Sequence, residues 1–574
     1  MATSRLNVVL CWHMHQPWYR NGLQGDYRLP WVYLHALKDY SDMAAHLEQH
    51  PQMTAVVNFA PILLEQLDDY AQQLSAYLSK GSPMADRLLN LLAGVEAIPS
   101  DKTQRSELIA ECQRCHAPTM IHTHPPFQRL FKMIGATDES ISKQQLFRCS
   151  LAYLSEQYFL DLLTWYHLAW MGQSLQDEPT VQRLLKQTSE FSTADRHDLL
   201  KVMQRCLSEI IPRYRALANR GQIELSMTPY MHPIVPLLND FQNMRCAQPH
   251  APAPEASHYP GGTARSMWHL QRGIELFQHY FGRKPHGVWL SEGGVSADAV
   301  QLLDELNIEW TATGEGVWRN SCQISHYCGD DESSKRSLFM PYRLPDSQVN
   351  VYFRDDGLSD LIGFKYSDWH ARDAVSDLVQ HLENIAVFLG DKAPQQVVSI
   401  ILDGENAWEY YPNNGAYFLN ELYSHLAHSD LLKMTTFHQL HDAIAARPLP
   451  QLCAGSWVHG TFSTWIGSDD KNLAWDYLVD AKHAYDKIIS SGELSPEQQE
   501  LASRQLGVCE GSDWFWWFGD YNPADSVRDF ERLYRQQLKQ LYELLQVPAP
   551  AYLDKPLSLG GGSAENAGTM RRNV

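Results

Sequence analysis

VVSIILDGENAWEYY (residues 397–411) decides the fold. A β-prone apolar run ends in Asp403, and Gly404 follows at once, so the backbone can turn where the strand stops. HGVWLSEGGVS (286–296) has the same form, with Glu292 closing the run ahead of two glycines. Working outward, five more short runs are bounded by turn residues: Leu6–Trp12, Thr54–Phe59, Ile223–Met227, Glu309–Thr313 and Asn350–Phe353. With Gly287–Leu290 and Val397–Leu402 they make seven expected strands. Helix-period stretches lie between many of them, among them IELFQHYF (274–281), SADAVQLLDEL (296–306) and SDLVQHLENIAVFL (376–389). This alternation predicts an α/β chain whose parallel βα units close into a barrel.

At 574 residues the chain exceeds what one core fills. A helical insertion is expected at about residues 80–215, with amphipathic stretches ADRLLNLLAGVEA (85–97) and SLAYLSEQYFLDLLTWYHLAWMG (150–172). After the seventh strand the pattern is again helical, at 415–428, 470–490 and 524–547. The expected division is a barrel with its insertion over 1–410, a C-terminal helical domain over 411–550 that lends a loop to the site, and a disordered tail over 551–574, where the sequence turns small, polar and Gly-rich. The net charge of −20 makes nucleic acid a poor partner. No run is long and apolar enough to span a bilayer, and Met1–Leu10 lacks the features of a signal peptide, so a cytoplasmic protein with ten reduced cysteines is expected.

In α/β folds the carboxyl ends of strands are where sites are built. Acids delivered there by two separate strands suit glycoside hydrolysis, which needs a pair of carboxyl groups. Asp403 is followed by Trp408, Tyr410 and Tyr411, an aromatic surround that would raise a carboxyl pKa as a general acid requires; Glu405 is an alternative that the sequence leaves open. In CWHMHQP (11–17), His13 and His15 share one face of an extended chain, placed to bind a metal, to meet a ligand's hydroxyls or simply to cap a strand. QIELSMTPYMHP (222–233) puts Glu224 and Ser226 on one face and carries His232. Seventeen Trp and 27 Tyr exceed what a core alone needs, so some should stack on sugar faces. The stretch from Trp457 to Gly467 looks like a lid bearing such rings, whereas Glu510–Gly519 reads as core. Cys112 and Cys115, with His116, His122 and His124, match no zinc-finger spacing. There is no phosphate-binding glycine loop, no GxSxG and no HExxH, so neither cofactor nor metal is expected.

HQP (15–17), GQIELSMTPYMHP (221–233), GVWLSEGG (287–294), ILDGENAWEYY (401–411) and GSWVHGTFSTWIG with KNLAWDYL (455–478) resemble, in order, the five sequence regions of glycoside hydrolase family 57. LPWVYLHALKDYSDMA (29–44) looks like that family's amylopullulanase and α-amylase branch. The resemblance implies an incomplete (β/α)7 barrel followed by a helical domain, an α-glucan polysaccharide or maltooligosaccharide substrate and a retaining mechanism. It casts Glu292 as nucleophile and Asp403 as general acid/base, with substrate-binding roles for His13, His15, Glu224 and Trp465. His232, Trp289 and Trp408, inside the matched regions, join that set. His459, also expected to bind substrate, stands where relatives often carry Asn, a departure that bears on acceptor or branch preference. The resemblance does not separate hydrolysis from glucanotransfer or branching.

Two other classes compete. A metal-dependent amidohydrolase-type barrel also uses HxH after its first strand, but it needs further His ligands that strands four to six here do not end in. A non-catalytic glucan-binding protein is disfavoured by the two intact acids.

Overall fold

The computed structural model describes residues 4–134, 151–325 and 335–562. Its strands, in chain order, are β1 (Leu6–Met14), β2 (Ala55–Phe59), β3 (Ile223–Met227), β4 (Trp310–Thr313), β5 (Tyr342–Arg343), β6 (Asn350–Phe353), β7 (Val397–Asp403), β8 (Leu432–Met434) and β9 (Arg447–Pro448). β7, β1, β2 and β3 pair in parallel in that order, and β4 pairs in parallel with β6. Single bridges join these halves: Met227 with Val288, Gly287 with Trp310, and Arg354 with Ser399. A ring of seven positions closes, which is the incomplete (β/α)7 barrel, with a helical region after it. The expected strand at Gly287–Leu290 shrinks to the bridging residues 287 and 288, because the chain tightens into a 3-10 turn at Ser291–Gly293.

Strand parity sorts the side chains. Val8, Leu10 and Trp12 of β1 point outward into the large core under the helices, while Val9 and Cys11 point inward with Val56, Ala312 and Ile401. The interior is filled from below by the short helix Phe437–His441, whose Phe437 ring lies 4.4 Å from that of Trp310 and 4.5 Å from that of Tyr352. Moving up each strand by two residues leads from this apolar layer to the mouth, where His13 pairs in register with both Asn58 and Asp403, and Asn58 with Ser226.

Between β2 and β3 the described chain is helical, ending in Thr193–Asn219. Ser192 and Asp195 form a capping box at the start of this helix, and Leu199, Met203, Leu207, Ile210 and Tyr214 bury one face at helical spacing. The expected boundary at 411 is too early. β8 pairs with β1, and helix Ala416–His428 packs on helix Ala371–Leu389, so the chain stays on the barrel well past Tyr411. The tail is also corrected: Leu553 and Leu557 are buried, Leu557 N–H donates to Glu531 and Gly562 bridges Pro523, so residues 551–562 are packed. Residues 563–574 lie outside the described ones. Cys322 is disulfide-bonded, against the expectation of ten free thiols. Among the described residues no helix is long and apolar enough to cross a membrane.

The C-terminal region is pinned by a buried charge. Glu510 accepts from Arg265 at 2.7 Å, from the Tyr259 hydroxyl at 2.6 Å and from His269 Nε2 at 2.7 Å, with Arg265 and His269 on helix Gly262–Phe281. Although burial opposes it, the Arg265 charge holds the Glu510 carboxyl down to about 2. Removing one member of such a pair strands the other charge, so Glu510→Gln is expected to lose about 3–5 kcal/mol in a chemical melt. Because the folded pKa lies below the ordinary carboxylate value, this contribution is present above that value and fades as pH falls toward about 2. Acid titration of the melt of Glu510→Gln should therefore be flatter than that of the wild type.

Candidate active site

Asp403 ends β7 on the inward parity, half-buried. Burial raises its carboxyl above the ordinary value; a hydrogen bond from Asn406 Nδ2 (2.8 Å) and the charges of His15 and Arg354 oppose that rise. Glu292 sits in the turn after Leu290 with φ 59° and ψ 24°, a left-handed conformation that costs a non-glycine residue about 1–3 kcal/mol. Its carboxylate accepts the indole N–H of Trp457 at 2.9 Å, and its backbone carbonyl accepts the amide of the same residue at 3.1 Å. Two contacts from one residue thus fix both ends of Glu292.

Trp457 is held in turn by close backbone packing. A Cβ at Gly314 would lie 2.6 Å from Trp457 Cα, and one at Gly316 would lie 2.8 Å from the amide nitrogen of Gly460. Neither position tolerates a side chain unless the 457–460 loop moves away. The guanidinium of Arg354 stands 5.4 Å from the centre of the Trp457 ring, with Asp356 and Asp360 as its carboxylate partners.

Three imidazoles stack across the mouth. The rings of His15 and His232 are 3.7 Å apart, and His13 lies 5.9 Å and 5.5 Å from them. His13 Nδ1 is 2.7 Å from Asn58 Oδ1. Since the Thr228 hydroxyl donates to that same oxygen and Asn58 Nδ2 donates to Ser226, we assign the Nδ1–H tautomer, which leaves Nε2 as an acceptor. Burial, then the His15 charge, pushes the His13 pKa down to about 3, and burial also drives His232 far down, so both stay neutral. His15 Nε2 is 2.9 Å from Asp513 Oδ1, and His232 Nδ1 is 2.8 Å from the Ser512 hydroxyl. His15, His232 and Asp513 each offer a donor atom within 4.8 Å of the others. His15 Nδ1, His232 Nε2, Ser291 Oγ and Glu405 Oε2 have no hydrogen-bond partner among the described residues. That concentrates polar capacity at the mouth.

Glu292, Asp403, His13, His15 and His232 are thus at the mouth, and other expected site residues are not. Glu224 has the right parity but lies one layer down, where it accepts from Trp310 Nε1 at 2.6 Å and from the His438 amide at 3.0 Å. Trp408 is buried with its N–H on the Gly404 carbonyl (2.9 Å), against Trp12 and Tyr411. Trp465 is buried beside Trp516, and Trp289 is buried inside the barrel, its ring 5.2 Å from that of Trp457. None of the three presents a ring face for stacking. His459 is exposed at φ 57°, two residues past Trp457, beside a pocket lined by Glu315, Arg319, Lys335 and Asp360. Ser226, expected on the same face as Glu224, is at the mouth, whereas Asn58, Ser512, Asp513 and Arg354 were not expected there. Asn58 breaks the apolar run AVVNF, a signal that was there to be used; Asp513 carries no such mark. Cys112, on the insertion, is buried with its thiol pushed far up by burial.

No curated protein sequence matches the chain. Among solved structures, it resembles a family 57-type branching enzyme from Pyrococcus horikoshii at 15% identity and TM-score 0.55, covering 98% of this chain and 99% of that one. It is similar to an α-amylase from Thermotoga maritima at 13% identity and TM-score 0.55, covering 94% and 93%. A 4-α-glucanotransferase from Thermococcus litoralis matches at 14% identity and TM-score 0.50, over 94% of this chain and 60% of that one. At such identities these likenesses establish the fold. The sequence model of Glycosyl hydrolase family 57 matches residues 9–452, most of the chain with both acids, and the chain belongs to that family.

Proposed function

We propose that the protein is a retaining, α-glucan-active glycoside hydrolase of the α-amylase or amylopullulanase type. The observation that carries this reading is the unlike treatment of two acids at one barrel mouth: burial raises Asp403, while Glu292 is anchored by an indole N–H. Pairs of carboxyl groups whose environments differ in this way divide into proton donor and nucleophile. Asp403 gives its proton to the glycosidic oxygen as that bond breaks, and Glu292 forms a bond to the anomeric carbon. Asp403, now a carboxylate, takes a proton from the acceptor that opens the glycosyl-enzyme and frees Glu292. Neutral His13, with Nε2 free to accept, and the His15–Asp513 pair supply hydrogen bonds for sugar hydroxyls.

Water as acceptor gives hydrolysis of α-1,4 and α-1,6 bonds; a sugar hydroxyl gives glucanotransfer or branching. The second outcome has its own support, since the fold neighbours include a branching enzyme and a glucanotransferase. Product analysis on maltooligosaccharides, amylose and pullulan distinguishes the two.

Glu292→Gln should lower kcat on soluble starch by on the order of a thousandfold or more while leaving the melt unchanged; near-normal turnover would sink the assignment. Asp403→Asn should harm glucan cleavage far more than cleavage of a glycoside whose leaving group needs no proton. The Asn406 hydrogen bond holds the Asp403 pKa down, so Asn406→Ala should move the alkaline limb of the pH–rate profile upward, and a downward move would contradict the acid role. Activity should also survive dialysis against a chelator, where a metal bound by His15, His232 and Asp513 in a hydrolase of another class would be lost.

A further inference from the structure

At the opposite end of the barrel, three donor side chains converge that the proposed chemistry does not use. His286 stands just before ring position 287, Glu309 just before β4, and His438 on the short helix that fills the barrel from below. His286 Nδ1 is 3.0 Å from Glu309 Oε1, His438 Nδ1 is 2.6 Å from Glu309 Oε2, and the two imidazole rings stack at 3.6 Å. One donor atom from each residue lies within 4.8 Å of the others.

We propose that His286, Glu309 and His438 form a binding site for a divalent transition-metal ion of the zinc class, which fastens the lower helix to the ring. Two imidazoles and one carboxylate are a recognised zinc donor set, and they select against calcium and magnesium, which take oxygen ligands. The backbones that carry the donors are already fixed. The Glu309 amide donates to the His286 carbonyl at 2.8 Å, the Asn350 amide to the Glu309 carbonyl at 2.8 Å, and the His438 amide to buried Glu224 at 3.0 Å. The side chains themselves are 44%, 27% and 46% exposed, so an ion can reach them from solvent. Zinc bonds of about 2.0–2.1 Å set tetrahedral donors about 3.3 Å apart, so the imidazole nitrogens now 3.0 and 2.6 Å from the carboxylate must spread slightly from it, a rotation that half-exposed side chains can make. Each imidazole that now shares its Nδ1 with the carboxylate turns that nitrogen's lone pair to the ion, and its proton sits on Nε2, which faces away. Solvent completes the coordination, which makes the site a fastener that links residues 286, 309 and 438 across the barrel floor.

The test is titration of the full-length, metal-stripped protein with Zn2+ by calorimetry, alongside thermal melts with and without the ion. The expected result is one saturable Zn2+ per chain and a Tm raised by a few degrees. His286→Ala and His438→Ala should each weaken that binding at least tenfold and abolish the Tm rise. Glu309→Gln, which keeps the shape, should do the same if either histidine variant fails to fold. Absence of saturable binding to the wild-type protein overturns the proposal. So does binding that persists unchanged in all three variants, which would assign the ion to His15, His232 and Asp513 instead.

Discussion

Side chains on a strand alternate, so the residues that fill the barrel also determine which ones surface at its mouth. In β1, Val9 and Cys11 must face inward to pack against Val56 and Ile401, and His13 then has to do the same. The parity that buries Ile401 likewise delivers Asp403, and that which buries Val56 delivers Asn58. A one-residue slip in any of these strands would send its polar terminal residue out under the helices and pull an apolar one into the mouth. The site's geometry is thus underwritten by the packing of the layer beneath it, whose residues take no part in the chemistry.

That same rule marks how far the sequence could be read. Strand ends and parity are local properties, and they were enough to place Glu292, Asp403, His13 and His15 and to propose a closed βα barrel. Height along the barrel axis is not local. Glu224 has the correct face but pairs with Val56, one layer lower, and only the register of neighbouring strands reveals it. Nor is the burial of an aromatic ring local: Trp408 and Trp465 sit in motifs beside the acids, yet helices packed against the barrel cover them. Asp513 lay beyond reach for a third reason. It opens a five-residue helix in a stretch dominated by Trp and Phe, and what distinguishes it from a helix-capping acid is a histidine 498 positions away.

That long-range contact gives the buried Glu510 its importance. Glu510 precedes Ser512 and Asp513, which hold His232 and His15, and its partners Arg265 and His269 sit on a helix of the barrel domain. An ion pair out of water is weak evidence for stability in itself, since the lost hydration offsets much of the attraction. Its directional bonds do fix the orientation of the segment that carries it. The stacked imidazoles at the mouth inherit that orientation, because both of their external anchors follow within three residues of Glu510.

The helix Phe437–His441 has a consequence for traffic. With Phe437 packed against Trp310 and Tyr352, the described residues plug the barrel at its floor and leave its polar groups at the mouth. A polymer cannot be threaded through it like rope through a pulley. On the proposed reading, glucan chain and fragments arrive and depart across the same threshold, and a long substrate lies along the rim where it crosses the acids.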